Sequence, residues 1–119
     1  IDYFSLRDHA KSFEMCKLLL KEYDYDLIVC YDGSYDSNIH KYGCYSKEAI
    51  QAMRDSIARY TEFSHILKKR WKDYNYLLSF TPDHGGSDSE HGKGKHADDQ
   101  YDNMVVNHFY QFNKVGNRE

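Results

Sequence analysis

The sequence predicts an α/β fold in which helices cover a mainly parallel sheet. Two short apolar runs, residues 27–31 and 76–80, are rich in aliphatic and aromatic side chains, which is typical of buried strands. Between them, residues 46–71 repeat apolar side chains at intervals of three and four, as an amphipathic helix does. A strand, a helix and a strand in this order predict a right-handed crossover and therefore a parallel pair.

Two helices are expected to cover this sheet. Residues 6–22 carry apolar side chains at helical spacing from Leu6 to Leu20, which predicts the first helix. The second, residues 46–71, begins at Ser46, a good N-cap residue. The face of the second helix that should pack on the sheet carries Ile50, Met53, Ile57, Tyr60 and Leu67.

A polar, glycine-containing loop, residues 83–103, follows the second predicted strand, and residues 105–111 predict a third strand. At 119 residues the chain is expected to form a single domain or part of one, 1–119. The hydrophobic fraction of 40% is too high for a disordered chain.

The overall charge and hydropathy limit the expected partners. A net charge of −3 disfavours nucleic acid and anionic lipid as main partners, because both attract basic surfaces. The sequence contains no run of eighteen apolar residues, so no membrane segment is expected within residues 1–119.

The three cysteines, Cys16, Cys30 and Cys44, are odd in number and predict no disulfide framework. We expect three free thiols in a reducing compartment, two of them packed like small hydrophobic side chains, at Cys16 and Cys30, and one in a loop, at Cys44. This usage favours the cytoplasm and leaves an upstream targeting segment open. A metal-ligating thiolate at Cys44 is the alternative interpretation.

Candidate metal ligands follow both predicted strands. Asp36 and His40 come after the first strand, and Asp83 and His84 come directly after the second. Because the carboxyl ends of parallel strands lie at one sheet edge, these residues are expected to converge. A carboxylate and neutral imidazoles suit Zn²⁺ and similar divalent ions. The loop adds His91 and His96, although a plain hydrophilic surface loop is an alternative interpretation.

These motifs, in this order, resemble the C-terminal portion of the alkaline phosphatase superfamily. The resemblance is carried chiefly by Asp-Ser-Asn-Ile-His (36–40), Thr-Pro-Asp-His-Gly (81–85) and Gly-Lys-Gly-Lys-His (92–96). It covers roughly residues 24–112, and the type I phosphodiesterase/nucleotide pyrophosphatase and sulfatase-like branches look nearest. Ile39 departs from the pattern, because many phosphodiesterase members have Gly at the matching position.

The resemblance implies a metal-dependent hydrolase or transferase of phosphoric or sulfuric esters, nearest to a phosphodiesterase. Two divalent ions would bind the ester substrate, with zinc favoured and Mn or Mg as alternatives. By resemblance, one ion takes Asp36, His40 and either His96, which is preferred, or His91, and the other takes Asp83 and His84.

The family's nucleophilic Ser or Thr and a further Asp ligand match no position in this chain. The resemblance therefore implies a portion of a larger enzyme, whose partner would be a missing N-terminal portion of the same protein. Such a chain should bind metal without turning over esters. A non-catalytic metal-binding or interaction module is the alternative.

Overall fold

The computed structural model describes residues 1–116. It has a mixed α/β architecture, which confirms the predicted α/β class. No helix in this range is long and apolar enough to cross a membrane. Two antiparallel two-stranded sheets occur in the same range, one formed by β1 and β4 and the other by β2 and β3. The helices are α1 (His9–Glu22), α2 (Ser34–Tyr42), α3 (Lys47–Arg70) and α4 (Tyr101–Met104); the strands are β1 (Tyr76–Phe80), β2 (Ser87–Asp88), β3 (Gly94–Lys95) and β4 (Phe109–Asn113).

The prediction of a mainly parallel sheet is wrong. Strand β1 forms where residues 76–80 predicted it, but it pairs antiparallel with β4, from Tyr76 opposite Asn113 to Phe80 opposite Phe109. Strand β4 also begins later than the predicted residues 105–111. Because its only strand partner within residues 1–116 is β4, β1 belongs to a β-ribbon and to no parallel crossover unit.

Residues 27–31, which were predicted to be a buried strand, form an extended segment that belongs to no sheet. Leu27 and Val29 are 78% and 80% exposed, whereas Ile28 and Cys30 point inward and are half-buried. No backbone group of this segment bonds to another backbone group in the part of the chain that the structure describes. The segment therefore shows the alternating burial of a β-strand, but it lacks the backbone hydrogen bonds to a neighbouring strand that define one.

Helix α3 confirms the predicted long helix almost residue for residue. Ser46 is its N-cap, and the Ser46 hydroxyl accepts a hydrogen bond from the Ala49 N–H at 3.1 Å. The predicted packing face is wrong over the first half of the helix. Its buried stripe there consists of small residues, because α2 packs closely against it: Ala49, Ala52 and Ser56 are buried, and Ile50, Met53 and Ile57 are exposed.

Helix α1 begins at His9, later than the predicted residue 6. The Asp8 carboxylate accepts from the N–H groups of Ala10 and Lys11 and so sets the first turn. The helix packs on α3 through Phe13, whose ring centroid lies 4.6 Å from that of Phe63.

Asp32 joins the extended segment, α2 and α3. Its Oδ1 accepts from the Ser34 N–H at 3.0 Å, while its Oδ2 accepts from the Ser56 hydroxyl at 2.7 Å and from the Arg59 guanidinium at 2.9 Å. Burial raises the pKa of Asp32, but these hydrogen bonds and the charge of Arg59 outweigh burial, so the net pKa is lowered. The ionised carboxylate therefore stabilises the fold.

We expect Asp32→Ala to lower the free energy of unfolding by about 2 kcal/mol at pH 7, because Arg59 loses its carboxylate partner. Since the folded pKa is lowered, the contribution is present above the ordinary pKa of about 3.9 and is lost as pH falls through the lowered value. Urea unfolding of both proteins at pH 7 and pH 3 measures it. Asp24→Ala is the control, because Asp24 pairs with Arg70 but is 85% exposed. Equal losses in the two variants would contradict this account.

Candidate metal centre

Helix α2 carries Asp36 and His40 one turn apart on the same face. Their spacing of four residues fitted either a helical turn or a loop in the sequence, and the structure has the helical turn. Asp36 Oδ1 lies 3.3 Å from His40 Nε2. The helix thus presents one oxygen and one nitrogen donor side by side.

His96, directly after β3, completes a triangle of donor atoms with this pair. Its Nε2 is 3.2 Å from Asp36 Oδ1 and 2.9 Å from His40 Nε2. Ligands of a tetrahedral zinc ion, each about 2.0–2.1 Å from the metal, are separated by about 3.3 Å. The three donor atoms therefore approximate one face of a zinc tetrahedron, and Asp36, His40 and His96 form a potential metal-ligand group. We call these three residues the metal triangle.

His84 and Asp83 lie beside the metal triangle. The His84 ring stacks on the His96 ring with centroids 3.7 Å apart, and His84 Nε2 is 3.8 Å from Asp36 Oδ1. Asp83 Oδ1 is 3.7 Å from His84 Nε2, but the Asp83 side chain is 79% exposed. The second predicted pair therefore reaches the same place, with its carboxylate at the rim.

Backbone carbonyls fix the tautomers of two of these histidines. His40 Nδ1 lies 3.0 Å from the Gly94 carbonyl oxygen and His84 Nδ1 lies 2.8 Å from that of Gly85. A carbonyl can only accept, so each Nδ1 carries a proton, and in the neutral form of each ring the lone pair lies on Nε2, which is near Asp36. This is the arrangement that second-shell carbonyls give to metal-ligating histidines.

The Asp36 carboxylate has an unsatisfied oxygen within this cluster. Asp36 Oδ1 is buried and accepts no hydrogen bond among residues 1–116, although three imidazole nitrogens lie within 3.8 Å of it. A buried charged oxygen without a hydrogen-bond partner is destabilising, although the Asp36 side chain as a whole is 35% exposed. A divalent cation in the triangle would satisfy the carboxylate and the imidazole lone pairs together, so the residues fit a metal.

Two further candidates lie outside the triangle. His91 is exposed in the turn between β2 and β3, so of the two loop histidines only His96 reaches Asp36. The Cys44 thiol is buried; burial and its hydrogen bond to Asp88 raise its pKa to about 11. The structure places Cys44 in a turn, as the sequence interpretation expected, but packs its protonated thiol in the core.

Small residues in the hairpin allow α2 to approach it closely. A Cβ atom on Gly94 would lie 2.7 Å from both the Cβ and the carbonyl oxygen of Ile39, which is fully buried. A Cβ on Gly86 would lie 2.9 Å from the Ile39 Cδ1. This approach brings His40 within reach of Gly94. The supporting role of Gly94 was not predicted, although its place two positions before a candidate histidine ligand was a usable signal.

Contacts to its backbone also hold the loop that carries Asp83 and His84. The Gly85 N–H donates to the Asn103 carbonyl oxygen at 2.9 Å, and Asn103 is 1% exposed. His108 Nε2 donates to the Pro82 carbonyl oxygen at 3.1 Å. Neither Asn103 nor His108 was identified from the sequence, since contacts to main-chain groups leave no motif.

Comparison with family models, with curated proteins and with solved structures finds no match to this chain. What supports a metal centre is therefore the arrangement of the residues themselves: a carboxylate, two imidazoles with fixed tautomers and a third imidazole.

We expect Gly94→Ala to destabilise the fold by about 2 kcal/mol, because the added methyl group meets the Ile39 backbone. The same displacement should move His40 away from His96 and lower Zn²⁺ affinity at least about tenfold, the effect expected for the loss of second-shell support. Thermal unfolding and calorimetric Zn²⁺ titration measure the two effects. Gly116→Ala is the control, since the nearest atom to its Cβ is the end of a lysine side chain at 3.9 Å. Unchanged Zn²⁺ affinity in Gly94→Ala would argue against this packing contact as the support of the site.

Proposed function

We propose that this chain is the metal-binding portion of a metal-dependent hydrolase or transferase of phosphoric or sulfuric esters. The nearest resemblance is to the alkaline phosphatase superfamily, and within it to phosphodiesterases. The observation that carries the proposal is the convergence of the metal triangle with His84. Three separate segments contribute these residues, and they are the segments whose motifs carry the resemblance.

The metal triangle holds the first ion in this proposal. One carboxylate and two imidazoles form the donor set of catalytic zinc sites, in which a further position stays open. Imidazole donors favour zinc over Mg²⁺, and Mn²⁺ is the next alternative. The ion would act as a Lewis acid toward an ester oxygen. The chain's own contribution is to hold His40 in one tautomer through Gly94 and to supply the negative charge of Asp36.

A second ion would take Asp83 and His84. These two ligands lie beside the first set, as expected of two-metal sites, in which the ions are about 3.5–4 Å apart. The site is weaker than the first because it has two protein ligands of its own and because Asp83 is largely exposed. Unequal affinity for two ions follows from this difference.

The nucleophile is proposed to come from an N-terminal portion of the same protein, as the resemblance implies. Within residues 1–116, no Ser or Thr hydroxyl hydrogen-bonds to a residue of the metal triangle or to His84. The same observation favours the second candidate function, a non-catalytic metal-binding or interaction module. The two functions differ in whether the bound metal takes an ester-like ligand.

We expect the chain to bind about one Zn²⁺ ion tightly and a second more weakly. His40→Ala should lower the affinity of the first site at least about 100-fold, because it removes a direct ligand, and losses at supporting residues alone reach 10–100-fold. His91→Ala is the matched control, since it removes an exposed histidine of the same loop system. Isothermal titration of the three proteins is the measurement. Equal binding by wild type and His40→Ala would remove this histidine from the site.

A soluble ester analogue distinguishes the two candidate functions. Phenylphosphonate should bind the Zn²⁺-loaded chain and not the chelator-treated chain, because metal ions clamp phosphoryl oxygens. Failure to bind the loaded chain would favour the non-catalytic module. Turnover of bis(p-nitrophenyl) phosphate should not exceed that of Zn²⁺ in buffer. Robust turnover by the 119-residue chain would contradict the proposal that the nucleophile comes from outside it.

A further inference from the structure

Of the three histidines in the metal centre, only His96 has a ring that makes no hydrogen bond to a backbone carbonyl within residues 1–116. The rings of His40 and His84 are each held through such a carbonyl. The His96 ring contacts Asp36 and His40 through Nε2 and stacks on His84. The position of His96 therefore depends on the residues that flank it in the chain.

Lys95 and Asp98 close the turn that carries His96. The Lys95 ammonium lies 2.5 Å from Asp98 Oδ2. An ion pair between partly exposed side chains contributes little by itself, because water screens the charges and because ordering both side chains costs entropy. This pair alone is a weak restraint on His96.

Asn103 supplies a buried contact to the same turn. Asn103 is 1% exposed, and its Nδ2 donates a hydrogen bond to Asp98 Oδ1. An ionised carboxylate can only accept, so the amide is oriented with its nitrogen toward Asp98. The amide oxygen, Asn103 Oδ1, is buried and accepts no hydrogen bond among residues 1–116. Because an unpaired buried oxygen is destabilising, the contact to Asp98 is the feature that explains an asparagine at this position.

The backbone of Asn103 holds the loop that carries His84. The Asn103 carbonyl oxygen accepts from the Gly85 N–H at 2.9 Å. A Cβ on Gly85 would lie 1.8 Å from the Asp102 carbonyl oxygen, so α4 packs directly against this loop. Helix α4 thus contacts both of the segments whose histidine rings stack with centroids 3.7 Å apart.

We propose that Asn103 is a positioning residue of the metal centre, and that it acts through Asp98 to hold His96 at the distance from Asp36 that a shared ion requires. Asn103 itself touches neither the ion nor a substrate. This role rests on the proposed function, because His96 needs a fixed position only if it shares an ion with the other ligands. Loss of the contact should leave every ligand present and allow His96 to move.

Asp98→Ala removes the acceptor of this contact, and the variant is expected to fold because the Asp98 side chain is 34% exposed. Its first-site Zn²⁺ affinity, measured by isothermal titration, should fall at least about tenfold, the effect of losing a group that supports a ligand. Asp99→Ala is the matched control, since it removes the same charge from an exposed neighbouring residue and should bind Zn²⁺ like the wild type. Equal Zn²⁺ affinity of the two variants would overturn the proposed role.

Asn103→Leu breaks the same contact from its buried side with a side chain of similar size. Because both substitutions act on one contact, the double variant should lose no more Zn²⁺ affinity than the more affected single variant. Additive losses would show that the two residues act separately and would overturn the role of Asn103.

A measurement on the metal-free chain separates this role from the proposed function. The stacked ring protons of His84 and His96 should show a nuclear Overhauser contact in the wild type and in Asp99→Ala, and this contact should be lost in Asp98→Ala. If the wild type binds no Zn²⁺, the proposed function is contradicted, and the spectrum of Asp98→Ala still decides whether His96 is held in this way. Persistence of the ring contact in Asp98→Ala would overturn the role of Asn103. So would a lower melting temperature with unchanged Zn²⁺ affinity, because the contact would then support the fold alone.

Discussion

The close contact between Ile39 on α2 and the glycine backbone of the β2–β3 hairpin is the constraint on which the metal centre depends. Ile39 is fully buried, and Gly94 lies so near that a methyl group there would overlap its backbone. The contact sets the distance between helix and hairpin, and this distance lets His40 donate to the Gly94 carbonyl while its other nitrogen faces His96. One apolar contact thus fixes the position of a ligand, its tautomer and its neighbour. Rigid elements hold such a site more accurately than loops alone.

The same packing buries an oxygen of Asp36 without a hydrogen-bond partner among residues 1–116. It brings a buried carboxylate oxygen and several imidazole nitrogens within 4 Å, and in the neutral forms of His40 and His84 the ring proton is on Nδ1, so none lies between these rings and Asp36. Buried polar groups that lack a hydrogen-bond partner are typical of functional sites. Because a cation would satisfy the whole cluster at once, metal binding and folding of this region are expected to be thermodynamically coupled. The hairpin has only two residues in each strand, so it depends on such tertiary support.

The sequence predicted those parts of the fold that local chemistry determines. Helix α3 was predicted closely because Ser46 caps it and its apolar repeat is long. Residues 27–31 were predicted wrongly as a sheet strand. Composition shows only that a segment is suited to a strand, whereas forming one requires a partner strand that is distant in the sequence. The convergence of Asp36 with His84 was expected for a reason that the structure contradicts. Asp36 lies on a helix and not at the edge of a parallel sheet. The packing of α2 on the β2–β3 hairpin brings the ligands together instead.

Whether His91 or His96 is the ligand could have been decided from the sequence. The hairpin pairs Ser87 with Lys95, and Gly92 turns the chain at a φ of +72°. A two-stranded hairpin with glycine at its turn places the middle of the loop at the tip, away from neighbouring elements, and returns the chain at the end of the second strand. His91 lies at that tip, whereas His96 follows the second strand and returns toward the core. Recognising Gly-Lys-Gly-Lys as the turn and returning strand of a hairpin would have selected His96 from the sequence. The carbonyls that fix the tautomers could not have been found in this way, because a backbone oxygen accepts equally well from any residue type.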